Sequence, residues 1–221
     1  MADAAVIFDV DGVLLELTAA EEDVFFAVFE KRYGLTGLSR DWNSYEIRND
    51  ENIVEEILRR NNIPSTDKPA VIADYMALLV QTLGNSLQSV VIAGAIDLLK
   101  GLSAKMQLGI ATANFLSAAQ LRLAHAGLWP LVSAHAYGAE GGGHKRQTVA
   151  RAIAATRLPT SRIVYVGDNR NDVEAGLANG VHFIGFSTDP GRLDDLKRAG
   201  ATYTSNNHLD TFRLIGHLLQ G

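Results

Sequence analysis

Two aspartates one residue apart, Asp9 and Asp11, follow an apolar run over residues 4–8 and stand directly before Gly12. The run reads as a short buried strand. Side chains of a strand alternate between faces, so both carboxylates converge only if the chain turns right after Asp9. Gly12 supplies a turn residue at that point. Carboxylates forced together repel unless a cation or a proton lies between them. Such a pair is a cost in most proteins and an asset at a metal site.

Other reactive side chains fall at comparable places. Thr112 and Asn114 follow an apolar segment at 106–111, and the loop past Tyr137 runs through three glycines to His144, Lys145 and Arg146. A strand at 162–166 leads into Gly167, Asp168, Asn169, Arg170, Asn171 and Asp172. Ligands of open α/β sheets bind beyond the carboxyl ends of the strands. Four strand ends therefore bring carboxylates, a hydroxyl and a cation to one sheet edge. Phosphoryl transfer needs that inventory: a nucleophile, a metal, donors to phosphoryl oxygens and a neutralising cation.

The elements that must position these groups follow from pattern. Thr18 and Glu21 form a capping box ahead of a stripe of Val24, Phe25, Val28 and Phe29, closed by Gly34. A second helix carries Ile53, Val54, Ile57 and Leu58, and a third runs from Lys68 to Gly84. From Gly94 on, helices at 95–102, 117–126, 148–155, 172–178 and 209–219 alternate with strands at 106–111, 134–137, 162–166 and 181–186. Alternation of this kind predicts an α/β fold, a Rossmann-like parallel sheet with helices on both faces. The expected organisation is an α/β core of residues 1–15 and 86–221, with a small α-helical domain, 16–85, inserted after the first strand. Residues 141–143, all glycine, read as a flexible loop. His125, His182, His208 and His217 fall in helices or at sheet edges and read as structural.

Composition narrows the function classes. Twenty basic and twenty-five acidic residues among 221 give a net charge of −5, with no long run of one sign. Nothing draws the chain to nucleic acid or to an anionic membrane. The absence of cysteine excludes disulfides, thiolate metal sites and cysteine nucleophiles. No basic segment precedes an extended apolar stretch near Met1, and no apolar run approaches the ~18 residues of a membrane span. The expectation is a cytoplasmic protein, monomer or homodimer, acting on a small molecule. An EF-hand is rejected: with Gly12 at the sixth loop position, Ile7 and Thr18 fall at the first and twelfth, where carboxylates belong. A P-loop is rejected because His144 precedes Lys145 and Arg146 follows it.

Asp9-Val10-Asp11-Gly12-Val13, then Thr112, then Lys145, then Gly167-Asp168-Asn169-Arg170-Asn171-Asp172 resemble the four motifs of the haloacid dehalogenase superfamily. The likeness spans essentially the whole chain, and the helical insertion is similar to that superfamily's cap. The resemblance implies that Asp9 is a nucleophile forming an aspartyl-phosphate and that Asp11 is a general acid and base. It implies Mg²⁺ on Asp9, the main-chain carbonyl of Asp11, and Asp168, with Asp172 binding the ion or orienting its waters. Thr112 would donate to a phosphoryl oxygen and Lys145 would offset the clustered negative charge. Arg146 competes with Lys145 for the third motif.

Gly12, Asn114, Arg48 and Arg146 complete the expected substrate contacts. Arg48 lies in a polar stretch, 41–50, where it either grips a second anionic group or stays solvated. Dehalogenases of the superfamily typically lack the second aspartate, so Asp11 favours phosphoryl chemistry. The implied activity is a Mg²⁺-dependent phosphatase of small phosphate monoesters. A phosphomutase of the β-phosphoglucomutase type would share the same residues, and a silent binding protein is the reading from another class.

Overall fold

A computed structural model describes residues 2–85 and 90–220 of the chain. Its described strands are β1 (Ala5–Phe8), β2 (Gln107–Ala111), β3 (His135–Tyr137), β4 (Ile163–Gly167), β5 (His182–Phe186) and β6 (Tyr203–Ser205). They form one parallel sheet in the order β3-β2-β1-β4-β5-β6. The first strand thus lies mid-sheet, where the connections change direction between β1 and β4. At such a switch point the loops diverge and open a crevice at the carboxyl ends.

Side-chain alternation builds two apolar layers. Val6, Phe8, Ile110, Val164, Val166 and Ile184 face one side, under α4 (Ala95–Ser103), α5 (Leu116–His125), α6 (Trp129–Val132) and α10 (His208–Leu219). Ala5, Ile7, Tyr165 and Phe183 face the other, under α7 (Lys145–Thr156), α8 (Arg170–Ala178) and α9 (Pro190–Arg198). Among the described residues, α1 (Ala19–Tyr33), α2 (Asp50–Arg60) and α3 (Lys68–Asn85) lie between β1 and α4. These bury a cluster of their own, with Phe25, Phe29, Ile53, Ile57, Tyr75 and Leu79, and Phe115 and Ala118 of the α5 region join it. The boundary expected between residues 85 and 86 lies outside the described residues.

Local signals behave as their chemistry dictates. The Thr18–Glu21 capping box opens α1, and Gly34 ends it in the left-handed region. Three departures matter for the site. Helix α7 begins at Lys145, three residues earlier than 148, so Lys145 sits on a helical first turn rather than in a loop. Helix α8 begins at Arg170 and includes Asp172, with Asn169 as its cap. Helix α9 and strand β6 were not anticipated, although Asp189-Pro190 is a cap followed by a first-turn proline. No helix among the described residues is long and apolar enough to cross a membrane.

Candidate active site

The turn after β1 shows how Asp9 and Asp11 come to share one cavity. Asp9 extends the sheet by donating its N–H to the Val166 carbonyl at 2.8 Å. The chain then folds back sharply, with the Val10 carbonyl accepting from Leu14 N at 2.9 Å and Leu15 N at 3.0 Å. Val10, Val13, Leu14 and Leu15 are fully buried and hold the turn in the core. His208 pins it from outside: Nε2 donates to the Val13 carbonyl at 2.8 Å, and the ring stacks on Phe186 at 4.2 Å. Burial lowers the pKa of that imidazole, against the hydrogen bond to Val13. Gly12 has φ +74°, and a Cβ there would fall 2.1 Å from Asp168 Oδ2. Glycine is required on both counts, conformation and close approach.

Asp9, Asp168 and Asp172 offer carboxylate oxygens within 4.8 Å of one another, and all three are buried. Lys145 Nζ stands between two of them, 2.8 Å from Asp9 Oδ1 and 3.2 Å from Asp172 Oδ1. Asp172 also accepts from Tyr165 Oη at 2.5 Å and from Asn169 N at 3.1 Å. Asp168 Oδ2 lies 3.1 Å from Arg192 on α9. Burial pushes the Asp9 carboxyl well above the usual carboxylate range; Lys145 opposes the shift, and Asp172 and Asp168 add to it. Asp168 is pushed up to about 7, by burial first and then by Asp172, against Arg192 and Lys145. Burial disfavours the charge on Lys145, but Asp172 and Asp9 outweigh it and hold the ammonium protonated.

Asp9, Lys145, Asp168 and Arg192 line a cavity of about 340 Å³ between the strand ends and the helices inserted after β1. The strand-end side presents Asp9, Asp11, Gly12, Thr112, Asn114, Lys145 and Asp168; the facing side presents Phe25, Trp42, Arg48, Ile53 and Tyr75. Thr112 is buried at the end of β2, and its hydroxyl donates to Asn114 Oδ1 at 3.1 Å while accepting from Asn114 N at 3.2 Å. Arg48 is half-buried in the wall, with no hydrogen bond or ion pair among the described residues. Trp42 packs against Phe25 and Phe26 and donates to Glu22 at 2.7 Å.

Arg146 is not brought to the cavity. It follows Lys145 on the first turn of α7, so its side chain leaves the helix about 100° away and is exposed. Two of the cations that line the cavity have no place in the sequence analysis. Arg122 interrupts the buried Ala118-Ala119-Leu123 face of α5, a charge in an apolar stripe that was a legible signal. Arg192 had none once α9 itself went unread.

A family model for haloacid dehalogenase-like hydrolases matches residues 6–186. The chain belongs to that family. Comparison with curated proteins finds no match. Among solved structures it is similar to a predicted phosphatase from Clostridium acetobutylicum, at 19% identity and a TM-score of 0.73 over 98% of this chain and 100% of that one. CbbY from Rhodobacter sphaeroides, solved in complex with phosphate, aligns at 16% identity and a TM-score of 0.75 over 94% and 95% of the two chains. A family hydrolase from Deinococcus radiodurans, solved with bound phosphate and sodium, aligns at 22% identity and a TM-score of 0.62 over 98% and 96%. At these identities the likeness establishes a shared fold, and the haloacid dehalogenase-like core is the frame on which the carboxylates are mounted.

Proposed function

We propose that the protein is a phosphatase that hydrolyses a small organic phosphate monoester through an aspartyl-phosphate on Asp9. The observation that carries this reading is the meeting of Asp9 and Asp11 in one cavity, with Lys145 on Asp9 and Asp168 beside it. A carboxylate oxygen of Asp9 attacks phosphorus, and the bond from phosphorus to the leaving oxygen breaks as Asp11 gives that oxygen a proton. In the second half, Asp11 takes a proton from water. The water oxygen attacks phosphorus, the bond to Asp9 breaks, and inorganic phosphate and free Asp9 are restored. Thr112 donates its hydroxyl to a phosphoryl oxygen, and Lys145 keeps Asp9 oriented. The phosphate seen with the Rhodobacter and Deinococcus proteins supports a phosphoryl ligand for this fold.

The residues fit a divalent ion. Among the described residues, seven carboxylates against four cations line the cavity, a wall that repels a phosphate dianion unless positive charge is added. The donors are all hard oxygens, and burial without such a charge pushes Asp9 and Asp168 toward their protonated forms. Asp9, Asp168 and the main-chain carbonyl of Asp11 would hold Mg²⁺. Asp172 already accepts from Tyr165, Lys145 and Asn169, and it stands behind as an orienting group. When bound, the ion supplies positive charge that draws the phosphate and stabilises charge developing on its oxygens.

Residues 16–85 act in this reading as a cap that excludes water and chooses the substrate. Arg48, unpaired in the wall, favours a substrate with a second anionic group. A sugar-phosphate mutase would use the same residues, and activation by a bisphosphate would reveal it. The test of the main reading is phosphate release from p-nitrophenyl phosphate. Turnover is expected with Mg²⁺, is lost in EDTA, and falls by roughly 10³-fold or more in Asp9→Asn. An Asp9→Asn protein of undiminished activity removes Asp9 as the nucleophile. Absence of turnover across a broad set of phosphate esters restores the binding-protein reading.

A further inference from the structure

Arg122 lies at 2% exposure, among the deepest charges in the molecule. A buried guanidinium is costly unless its donors are filled and its charge is matched. Both conditions are met here by groups far away in sequence. Arg122 reaches Asp11 Oδ1 at 2.7 Å and Glu21 Oε1 at 2.9 Å. It also donates to the Glu16 carbonyl at 3.2 Å and, at 3.5 Å, to Asn114 Oδ1. Glu21, 4% exposed, is locked in turn by the first turn of α1: its Oε2 accepts from Thr18 N at 2.9 Å and Thr18 Oγ1 at 2.7 Å. Burial opposes the charge on Arg122, but Asp11 and Glu21 outweigh it.

The two carboxylates differ in exposure. Both border the cavity, but the Glu21 side chain is only 4% exposed, whereas that of Asp11 keeps 26%. One end of the chain Thr18–Glu21–Arg122–Asp11 is therefore rigid, and the other meets the substrate space. We infer that Arg122 is the positioning residue for Asp11, with Glu21 fixing Arg122, so that the carboxyl is aimed at the leaving oxygen only while α1 is seated on α5. This rests on the reading of Asp11 as the general acid. A strut that merely joined α1 to α5 would need no arm onto Asp11, and the planar fork of arginine suits two carboxylates at once.

Phenyl phosphate and p-nitrophenyl phosphate test this, because they share a shape and differ mainly in how much the leaving oxygen needs a proton. The ratio of their kcat/KM values reads proton donation and is insensitive to a uniform loss of folded enzyme. Asp11→Asn is expected to widen the ratio in favour of p-nitrophenyl phosphate by about 10²-fold, the scale of general acid catalysis. The double variant Arg122→Met/Glu21→Gln removes both buried charges together and is expected to widen the ratio by about tenfold. Arg122→Lys keeps a charge but lacks the fork, and a widening of about threefold is expected; it carries the test should the double variant fail to fold. An unchanged ratio in the Arg122 variants, with Asp11→Asn widening it, overturns the positioning role alone. An unchanged ratio in Asp11→Asn overturns the acid role of Asp11 and this inference with it.

Discussion

Asp50 carries a buried carboxylate that forms no ion pair among the described residues. It is 5% exposed, accepts from Phe115 N at 2.7 Å, and is pushed up to about 7 by burial. Unfolded, the same group titrates near 4. The folded state therefore binds this proton more tightly, and the associated stability is present below about pH 4 and lost as pH rises through about 7. Asp50→Asn keeps an acceptor for Phe115 N and cannot ionise. Relative to the parent, the variant is expected to gain on the order of 2–3 kcal/mol between pH 5 and pH 8 in urea melts; an equal difference at both pH values would remove the buried charge as the cause. Asp50, Arg122 and Arg192 mark the limit of reading at this scale. Asp9, Asp11, Thr112 and Asp168 were legible as candidates because motif and strand end coincide. The others matter through partners tens of residues away, which spacing does not encode.

The glycine loop is where an element changed its meaning. Gly141, Gly142 and Gly143 all have positive φ, at 86°, 65° and 87°, and their N–H groups form a cradle. Glu51 Oε2 accepts from Gly141 N at 2.7 Å and Gly142 N at 3.3 Å, and Asn52 Oδ1 accepts from Gly143 N at 2.8 Å. Asn49 closes the contact by donating to the Gly143 carbonyl. The first turn of α2 is thus clamped to the loop that leads into Lys145. In sequence the three glycines signalled only freedom; the partner that uses this freedom is about ninety residues earlier. Glu51→Ala removes charge-assisted bonds of about 1–2 kcal/mol. Amide exchange at Gly141 and Gly142 is expected to rise about tenfold, with the sheet amides unaffected. Exchange at the parental rate would show that the clamp carries no stability.

For the whole molecule, the sheet brings Asp9 from β1 and Asp168 from β4 side by side at the switch point, and the inserted helices close over them. Concentrating buried carboxylates there destabilises the fold in the absence of a cation. Mg²⁺ at a hundred times its dissociation constant is expected to stabilise by about 2.7 kcal/mol, which raises Tm by roughly 5–10 °C for a chain of this size. Asp168→Asn should abolish the shift in a thermal melt with and without EDTA. An undiminished shift in that variant would place the ion elsewhere.

The strand–helix alternation as far as β5, the inserted helices and the motif aspartates were determined by the sequence alone, because hydrophobic period, caps and turn residues act over a few neighbours. Which cation of the pair 145–146 meets Asp9, which carboxylate Arg122 holds, and what the glycine loop binds were decided only by tertiary structure. Those choices are electrostatic and depend on distance through space. Burial makes them strong, and burial is a property of the folded chain rather than of any segment of it.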